Sequence, residues 1–403
     1  MQTNLNLDPS LLQRYQQMKM LEDSGCMFQY MDDTEYSGKK VTINGQELIH
    51  FGSCSYMGLE NHPELIQASI EAIKKYGTQT PSSRAVLSSP LYSEAEKLIT
   101  RIFPGYQVMT QTVTLGHFSV LPLFIKPNDA IILDAYVHNS VRMTSQWCKA
   151  NGTFVIISKH NNFEHIAYLV KRLKKDGYDK IWYCADGVYS IHGDLLKVDE
   201  LHSLLNIEND LYAYIDDAHG AGWAGKNGNG YVLGNFDLHP KTIVAVSFAK
   251  SFASCGGALV MSDKADADLI RKTGQTLLFS GPVQPAILGA LIGSLKLHLS
   301  DKFNIYQKEL LELIQYFTSE SLRLELPIAR TGLTPIQLLR IGDVEKTYKI
   351  LKNLHKSGFF AAAVSYPAVS MDDTGLRITL TRHLDKSDID NFLFRIKQLI
   401  EEL

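Results

Sequence analysis

The sequence predicts an α/β fold in which a large domain with a mostly parallel sheet precedes a smaller C-terminal α+β domain. From Val108 to Met261, short apolar segments alternate with stretches of helical periodicity, a pattern typical of parallel βαβ units. The last part of the chain instead reads strand–helix–strand–strand–helix. We expect an N-terminal arm over residues 1–50, the large domain over 51–290 and the small domain over 291–403.

The composition is that of an ordinary globular enzyme. Of the 403 residues, 45% are hydrophobic and 21% are charged, and the formal charge of −3 gives no bulk basicity for binding nucleic acid. No apolar run approaches the roughly 18 residues of a membrane span, and the N-terminus lacks the basic-then-apolar layout of a signal peptide. The five cysteines contain no CxxC pair, which argues against a disulfide framework or a zinc site and fits a reducing cytoplasm.

The elements before the alternating region are predicted one by one from local patterns. Residues 10–35 look helical and then extended, and Asn44-Gly45 separates two alternating runs as in a hairpin. A helix is predicted from Pro63 to about Tyr76, because its apolar residues have helical spacing. The loop Gly77–Ser83, closed by Arg84, either turns the chain or cups an anion. Another helix is expected through residues 94–99.

The alternating region supplies the predicted sheet. Strands are expected at 108–115, 130–133, 154–158, 181–186, 211–216, 243–250 and 258–262, and helices at 118–124, 164–175 and 198–206. A long helical run covers about 284–326. The predicted small domain then contains IQLLRIG, VEKTYKILKNLHKSG, FFAAAVSYPAV, GLRITL and a terminal helix from Ser387.

One lysine stands out in the stretch Ala245–Gly257, which reads AVSFAKSFASCGG. Lys250 follows an apolar run and precedes a small-residue turn, so we expect it at the end of a buried strand. Burial disfavours the ammonium form, and a neutral amine can form a Schiff base with an aldehyde such as pyridoxal phosphate. A lysine beside serine and glycine can equally be a surface residue.

Other polar side chains, including Ser190, follow predicted strands and are expected at the same edge of the sheet. Asp216 can pair with a protonated pyridine nitrogen or cap a helix, while Asp217 is expected to be structural. His219 can donate to a phenolic oxygen. His138 can stack on a cofactor ring and help with proton transfer, although a loop histidine need do neither.

Three further candidates concern anions and oxygen atoms. Ser190 either donates to the phenolic oxygen or is a turn serine. Ser247 can bind a phosphate. The backbone amides at the start of the helix that follows the strand near residue 110 can also bind a phosphate. Arg377 lies on an apolar strand, where a bidentate fork suits a substrate carboxylate or a structural ion pair.

These segments, in this order, resemble the α-oxoamine synthases, which are pyridoxal-phosphate-dependent enzymes of the aspartate-aminotransferase-like fold type I. The matching segments span about residues 50–395 and read SYMGL, YGTQTPSSR, DAYVHNS, DGVYSIHGD, IDDAHGAGWAGKNGNG, SFAKSFASCGG, FSGPVQPA and YPAV…GLRITLTRHLDKSDID. The resemblance implies a homodimer with active sites at its interface.

The resemblance also implies a role for each matching residue. Lys250 would form the Schiff base with the cofactor, Asp216 would pair with the pyridine nitrogen and His138 would stack on the ring. His219 and Ser190 would contact the phenolic oxygen. Ser247 would contact the cofactor phosphate, and Ser280 would reach a phosphate from the partner subunit. Arg377 would hold the carboxylate of the amino acid.

The chain departs from the family pattern at several positions. The glycine-aromatic cofactor segment is replaced by Thr112–His117, so Val113 and Thr114 are the expected cofactor contacts there. Ser55 stands where the family has an asparagine, and we assign it to the substrate site. Gly281 replaces a threonine, and Asn139 replaces the commoner alanine of the stacking loop. These departures suggest a specialised member of the family.

The activity implied is condensation of an amino acid with an acyl thioester, carried by coenzyme A or an acyl carrier protein, to give an α-amino ketone, usually with decarboxylation. Lys250 would be the base that removes the α-proton. The alternatives are another fold-type I reaction (an aminotransferase or a lyase) and a non-catalytic partner subunit. The basic segment Lys171–Lys175 either meets the carrier or is a solvated helix face.

Overall fold

The computed structural model describes residues 8–23, 25–329, 332–366 and 368–403. The first seven residues of the predicted arm, position 24, residues 330–331 and position 367 of the YPAV segment lie outside the described residues. The chain divides into two compact units. One comprises Cys54–Glu312, and the other comprises Leu313–Leu403 together with the residues up to Ser53.

The described helices and strands are numbered in chain order. The helices are α1 Pro9–Asp23, α2 Pro63–Tyr76, α3 Pro90–Ile102, α4 Val113–Phe124, α5 Asn139–Ala150, α6 Phe163–Lys175, α7 Val198–Ile207, α8 Tyr231–Asn235, α9 Lys264–Thr273, α10 Gln275–Leu278, α11 Pro285–His298, α12 Asp301–Arg323, α13 Val344–Lys356 and α14 Lys386–Glu401. The strands are β1 Lys40–Ile43, β2 Gln46–His50, β3 Tyr106–Thr110, β4 Ala130–Asp134, β5 Phe154–Ser158, β6 Ile181–Asp186, β7 Leu211–Asp216, β8 Thr242–Ser247, β9 Gly257–Met261, β10 Ile336–Arg340, β11 Phe359–Phe360, β12 Ala362–Val364 and β13 Gly375–Thr379.

A seven-stranded sheet forms the centre of the unit Cys54–Glu312, in the order β3-β9-β8-β7-β6-β4-β5. Strands β4 to β8 pair in parallel, and β9 is antiparallel to both of its neighbours. Successive residues of each strand point to opposite faces of the sheet, and each face packs against its own hydrophobic core. Ile132 and Val244 belong to one core, and Ile131 and Ile243 belong to the other. The predicted mostly parallel sheet is confirmed.

The carboxyl ends of the parallel strands bring polar residues to one edge of this sheet. Strands β4, β6 and β7 each end in an aspartate, namely Asp134, Asp186 and Asp216, and β8 ends in Ser247. Asp186 and Asp216 are register partners on adjacent strands. Because β3 runs antiparallel to β9 and β9 antiparallel to β8, the end of β3 and the start of α4 lie at this same edge.

The other unit contains two three-stranded sheets, in the orders β1-β2-β11 and β10-β13-β12. The predicted hairpin is confirmed: Asn44 and Gly45 both have positive φ, as a type I′ turn requires. The Phe51 ring stacks on Phe392 with centroids 3.9 Å apart. Residues 25–53 are therefore grouped with the C-terminal segment. The predicted division into an arm and two domains stays a prediction.

Two predicted strands end earlier than expected. The strand predicted at 108–115 ends at Thr110, and the strand predicted at 243–250 ends at Ser247, so Lys250 lies in the segment after β8 rather than at the end of the strand.

Three further predicted elements are wrong in their extent. Helix α4 starts at Val113 rather than near Phe118, because Thr112 caps it by accepting from the Leu115 amide. The helical run at 284–326 is two helices, and the Ser300 hydroxyl donates to the Leu297 carbonyl at the break. The segment FFAAAV divides into β11 and β12, which join different sheets.

Within the described part of the chain, no helix has both the length and the apolar character that crossing a membrane requires.

Candidate active site

A cavity of about 320 Å³ opens at the carboxyl edge of the seven-stranded sheet. Seven of the residues singled out from the sequence line it: Val113, Thr114, His138, Asp216, His219, Ser247 and Lys250. The other lining residues are Cys54, Thr112, Ser140, Asp186, Ala218, Ala249, Cys255 and Gly256. The strand-end argument therefore brings most of the predicted residues to one place.

The loop that carries Lys250 is fixed by backbone bonds on both sides of the lysine. The Phe248 amide donates to the Gly256 carbonyl and the Ala253 amide donates to the Lys250 carbonyl, at 3.0 and 2.9 Å. Phe252 is fully buried and stacks on His298 with centroids 4.2 Å apart. The lysine itself is half-buried at the cavity wall. A tight, anchored loop thus presents one primary amine to the cavity.

Gly256 is required by its backbone and by its neighbours. Its φ of 95° lies in the left-handed region, and a Cβ there would approach the Thr110 carbonyl oxygen to 2.9 Å. Both effects are avoided only by glycine. The return of the Lys250 loop into β9 can therefore pass directly beside the end of β3.

Asp216 is a buried carboxylate that is held ionised. Burial alone raises its pKa, but His117, Lys250 and His138 outweigh that effect and hold the pKa at about 2. Its Oδ1 accepts from the Ala218 amide at 3.0 Å, and its Oδ2 lies 3.1 Å from Nε2 of His117. The cavity therefore contains a fixed negative charge at the end of β7.

His138 caps helix α5 at the cavity wall. Its backbone amide donates to Oδ1 of Asp186 at 2.9 Å, and its Nδ1 lies 2.7 Å from the Ser140 hydroxyl. Burial lowers the pKa of His138, and the positive charge of Lys250 offsets part of the attraction of Asp216, which acts to raise it. The ring is therefore favoured in its neutral form, which suits a flat surface for packing.

His219 is oriented by a buried phenol. Its Nδ1 lies 2.7 Å from the hydroxyl of Tyr56, which is fully buried. Its backbone carbonyl accepts from the indole of Trp223 at 2.6 Å. Both contacts fix the direction in which the other ring nitrogen faces the cavity.

The first turn of helix α4 lines this cavity. Thr112, Val113 and Thr114 line it, and Thr112 is the N-cap. The amides at the start of a helix lack intrahelical acceptors, and the helix dipole favours a negative charge there. Ser247 lines the same cavity, with its hydroxyl accepting from the Ala249 amide.

A family model for aminotransferase class I and II matches residues 46–396. The chain belongs to the aminotransferase class I and II family. Among its curated relatives, 8-amino-7-oxononanoate synthase of Thermoanaerobacter pseudethanolicus is 28% identical over 91% of both chains. Serine palmitoyltransferase of Bacteriovorax stolpii is 28% identical over 93% of this chain and 87% of its own.

Solved structures show the same fold. A serine palmitoyltransferase from S. paucimobilis covers 100% of both chains with a TM-score of 0.88 at 20% identity. An 8-amino-7-oxononanoate synthase from Francisella tularensis covers 88% of this chain and 98% of its own, with a TM-score of 0.71 and 20% identity. The fold-type I prediction and the resemblance to α-oxoamine synthases are confirmed.

Four predicted site residues are not among those lining the cavity, although the strand-end argument also predicts one of them, Ser190, to lie there. Ser190 lies in a turn closed by the Tyr189 amide on the Asp194 carbonyl. The Ser55 hydroxyl donates to Glu60, and the Ser280 hydroxyl donates to the Thr276 carbonyl. Arg377 belongs to the other compact unit, in the middle strand of the sheet β10-β13-β12. Their roles stay predictions.

Two of the four basic residues in the segment Lys171–Lys175 of α6 are paired with acidic groups of their own unit. Arg172 lies 3.7 Å from Asp176, and Lys174 lies 3.2 Å from both Glu208 and Asp210. These contacts favour the solvated helix face over a docking site for a thioester carrier.

Sequence reasoning missed three residues of the site. Asp186 ends a predicted strand, so the rule that found Asp216 could have found it as well. Tyr56 directly follows Ser55 in the SYMGL segment but gave no separate signal. His117 was read only as the last residue of an altered segment, because its approach to Asp216 depends on where α4 begins.

Proposed function

We propose that this chain is a pyridoxal-phosphate-dependent α-oxoamine synthase. It condenses an amino acid with an acyl thioester of coenzyme A or an acyl carrier protein, giving an α-amino ketone, usually with loss of CO2. The observation that carries the proposal is one cavity that combines the Lys250 amine with the ionised carboxylate of Asp216. Family membership and the names of the curated relatives support it.

The donor set of the cavity fits this cofactor. Its aldehyde needs a primary amine, which Lys250 supplies. Its ring nitrogen is protonated in the electron-accepting form and needs a carboxylate, which Asp216 supplies. Its phosphate needs amide and hydroxyl donors, which the start of α4 and Ser247 supply.

The chemistry that this cofactor supplies when bound is withdrawal of electrons from the α-carbon of the amino acid. With the cofactor bound, Asp216 would hold the proton on the ring nitrogen by its negative charge. His138 would cover one face of the ring, and His219, oriented by Tyr56, would donate to the phenolic oxygen. Nζ of Lys250 would accept the α-proton of the amino acid, a role that requires its neutral amine form.

The remaining predicted contacts rest on the resemblance. We assign Ser190 to the phenolic oxygen, Ser55 to the substrate site, Ser280 to the phosphate of the partner subunit and Arg377 to the amino-acid carboxylate. Arg377→Lys keeps the charge but loses the bidentate fork. It should raise KM for the amino acid more than it lowers kcat, and an unchanged KM would remove Arg377 from the site.

The proposed homodimer is supported by an exposed apolar surface, here called the Phe279 surface, made of Phe279, Val86 and Leu87. These side chains are 86%, 81% and 62% exposed. The Ser83 hydroxyl donates to the Leu278 carbonyl at 2.7 Å and so joins the two segments. Exposed clusters of this kind mark interaction sites. Phe279→Ser should shift the mass measured by light scattering toward the monomer, and an unshifted mass would place the interface elsewhere.

A cytoplasmic location is proposed from the cysteines. Cys26, Cys54, Cys148, Cys184 and Cys255 are all free thiols, as is usual in a reducing compartment.

The test is an absorbance titration of the reconstituted protein and its Lys250→Ala variant, with the exposed-lysine variant Lys226→Ala as control. Wild type and control should show a visible cofactor band that borohydride traps on Lys250. One amino acid should shift the band, and an acyl thioester should then be consumed. Turnover with an amino acid and a keto acid alone would favour an aminotransferase. Absence of any cofactor band would overturn the assignment and leave the non-catalytic subunit.

A further inference from the structure

Behind Asp216, a histidine and a tyrosine form a buried row of polar side chains. His117 Nε2 lies 3.1 Å from Oδ2 of Asp216, and His117 Nδ1 lies 2.7 Å from the hydroxyl of Tyr214. His117 and Tyr214 are fully buried and Asp216 is 5% exposed. Tyr214 and Asp216 are alternate residues of β7, so both face α4, which supplies His117.

The direction of each hydrogen in this row follows from the chemistry of the three groups. An ionised carboxylate only accepts, so the hydrogen between His117 and Asp216 belongs to Nε2. The phenol of Tyr214 lies 2.7 Å from Nδ1 of His117 and donates to it in this assignment, which leaves Nε2 as the ring nitrogen that carries the hydrogen. Burial raises the pKa of Tyr214 well above its usual value, and the phenol therefore keeps the hydrogen that it donates.

We propose that His117 is a positioning residue that acts through Asp216. With Nε2 of His117 only 3.1 Å from Oδ2, the carboxylate stays ionised and in place, so the proton of the ion pair with the cofactor stays on the ring nitrogen. Tyr214 keeps His117 in the tautomer that can donate. Without the His117 donor, the carboxylate becomes the more basic partner and takes the proton. This inference rests on the proposed function, since it assumes that Asp216 faces the ring nitrogen.

The experiment measures the proton directly. The holoenzyme is reconstituted with pyridoxal phosphate labelled with ¹⁵N in the ring, and the ¹⁵N chemical shift is recorded for wild type, His117→Phe and His117→Gln. The amide of glutamine can place a donor near the position of Nε2, whereas phenylalanine fills the space without one. Wild type and His117→Gln should give the signal of a protonated ring nitrogen. His117→Phe should move most of the way toward the unprotonated value.

An unchanged ¹⁵N shift in cofactor-bound His117→Phe would overturn the proposal, because a purely structural role would alter stability alone. If that variant does not fold, Tyr214→Phe leaves His117 in place and tests the same row. It should move the signal in the same direction by a smaller amount, and an unmoved signal would again overturn the proposal. Failure of the wild-type protein to bind the labelled cofactor would overturn the proposed function itself, and this inference with it.

Discussion

Replacing His160 should remove a charged clamp that joins two loops of the unit Cys54–Glu312. His160 Nδ1 lies 2.7 Å from Asp134 at the end of β4, and Nε2 contacts Asp194, which closes the turn that carries Ser190. Burial alone lowers the pKa of His160, but the hydrogen bonds and charges of the two carboxylates raise it to about 9. The imidazole is therefore charged in the folded protein at neutral pH.

The magnitude follows from proton linkage. A histidine whose folded pKa lies above its unfolded value stabilises the fold fully below the unfolded pKa, here 6.5. The stabilisation falls as pH rises and is lost above the folded pKa of about 9. For these two pKa values the stabilisation is about 2.5 kcal/mol at pH 7 and close to zero at pH 10.

The assay is urea unfolding of wild type and His160→Gln at pH 7 and pH 10. The chain's three tryptophans, Trp147, Trp182 and Trp223, all belong to the unit Cys54–Glu312, so their fluorescence follows the unit that contains the clamp. The stability difference between wild type and variant should shrink by about 2.5 kcal/mol from pH 7 to pH 10.

His165→Gln is the matched control, because its ring accepts from the Lys159 amide at 3.0 Å. The pH dependence of its stability difference from wild type gives the baseline for losing an imidazole that accepts a backbone hydrogen bond. If the His160→Gln difference changed with pH no more than this baseline, the clamp would not contain a charged imidazole, and the reasoning would be refuted.

Three further substitutions test the packing and the site. Gly289→Ala should lower the free energy of unfolding by about 1–3 kcal/mol in the same urea assay, because the added Cβ would lie 2.4 Å from the Ala68 carbonyl oxygen. An unchanged urea midpoint of unfolding would show that α2 and α11 can move apart. Tyr56→Phe removes one hydrogen bond from His219 and should reduce kcat/KM up to about tenfold, and full activity would mean that other contacts orient the ring. Burial raises the pKa of Asp217 well above its usual value, so the carboxyl is neutral at neutral pH. Asp217→Asn, which is also neutral, should change the free energy of unfolding by less than about 1 kcal/mol. A loss above about 3 kcal/mol would indicate that Asp217 is a buried charge.

The sequence was sufficient to predict the strands and most of the cavity, because both depend on short-range patterns. Apolar runs of four to six residues identify buried strands, and parallel pairing carries their polar ends to one edge. Lys250, Asp216, His138 and His219 were found in this way without any knowledge of side-chain contacts.

What the sequence could not predict depends on long-range contacts and on where helices start. Pairing of Ile49 with Phe359 joins segments that are far apart in the chain, and no local pattern announces it. A single capping hydrogen bond, from the Leu115 amide to the Thr112 hydroxyl, allows α4 to begin at Val113. His117 then lies on the first turns of this helix, beside Asp216 at the edge of the sheet. Pattern reading assigns element types well, but a capping residue inside an otherwise apolar stretch is easily overlooked.

The carboxyl edge places two acids side by side, and their surroundings separate their charges. Asp186 and Asp216 are register partners on adjacent strands and line one cavity. Burial and the negative charge of Asp216 raise the pKa of Asp186 well above its usual value. Two buried carboxylates on adjacent strands do not both ionise easily, so the one with the better hydrogen-bond donors carries the negative charge.

His117 decides which carboxyl that is. Its Nε2 approaches Asp216, whereas Asp186 receives the backbone amide of His138 on one oxygen. A protonated Asp186 can donate its own hydrogen into the cavity, and an ionised Asp216 attracts a cation there. At this edge of the sheet, Asp186 is therefore protonated and Asp216 is ionised, although both are aspartates. Removing His117 should bring the pKa values of the two carboxyl groups closer together. The ¹⁵N experiment on the cofactor ring tests one side of this pair, because the ring nitrogen keeps its proton only while Asp216 stays ionised.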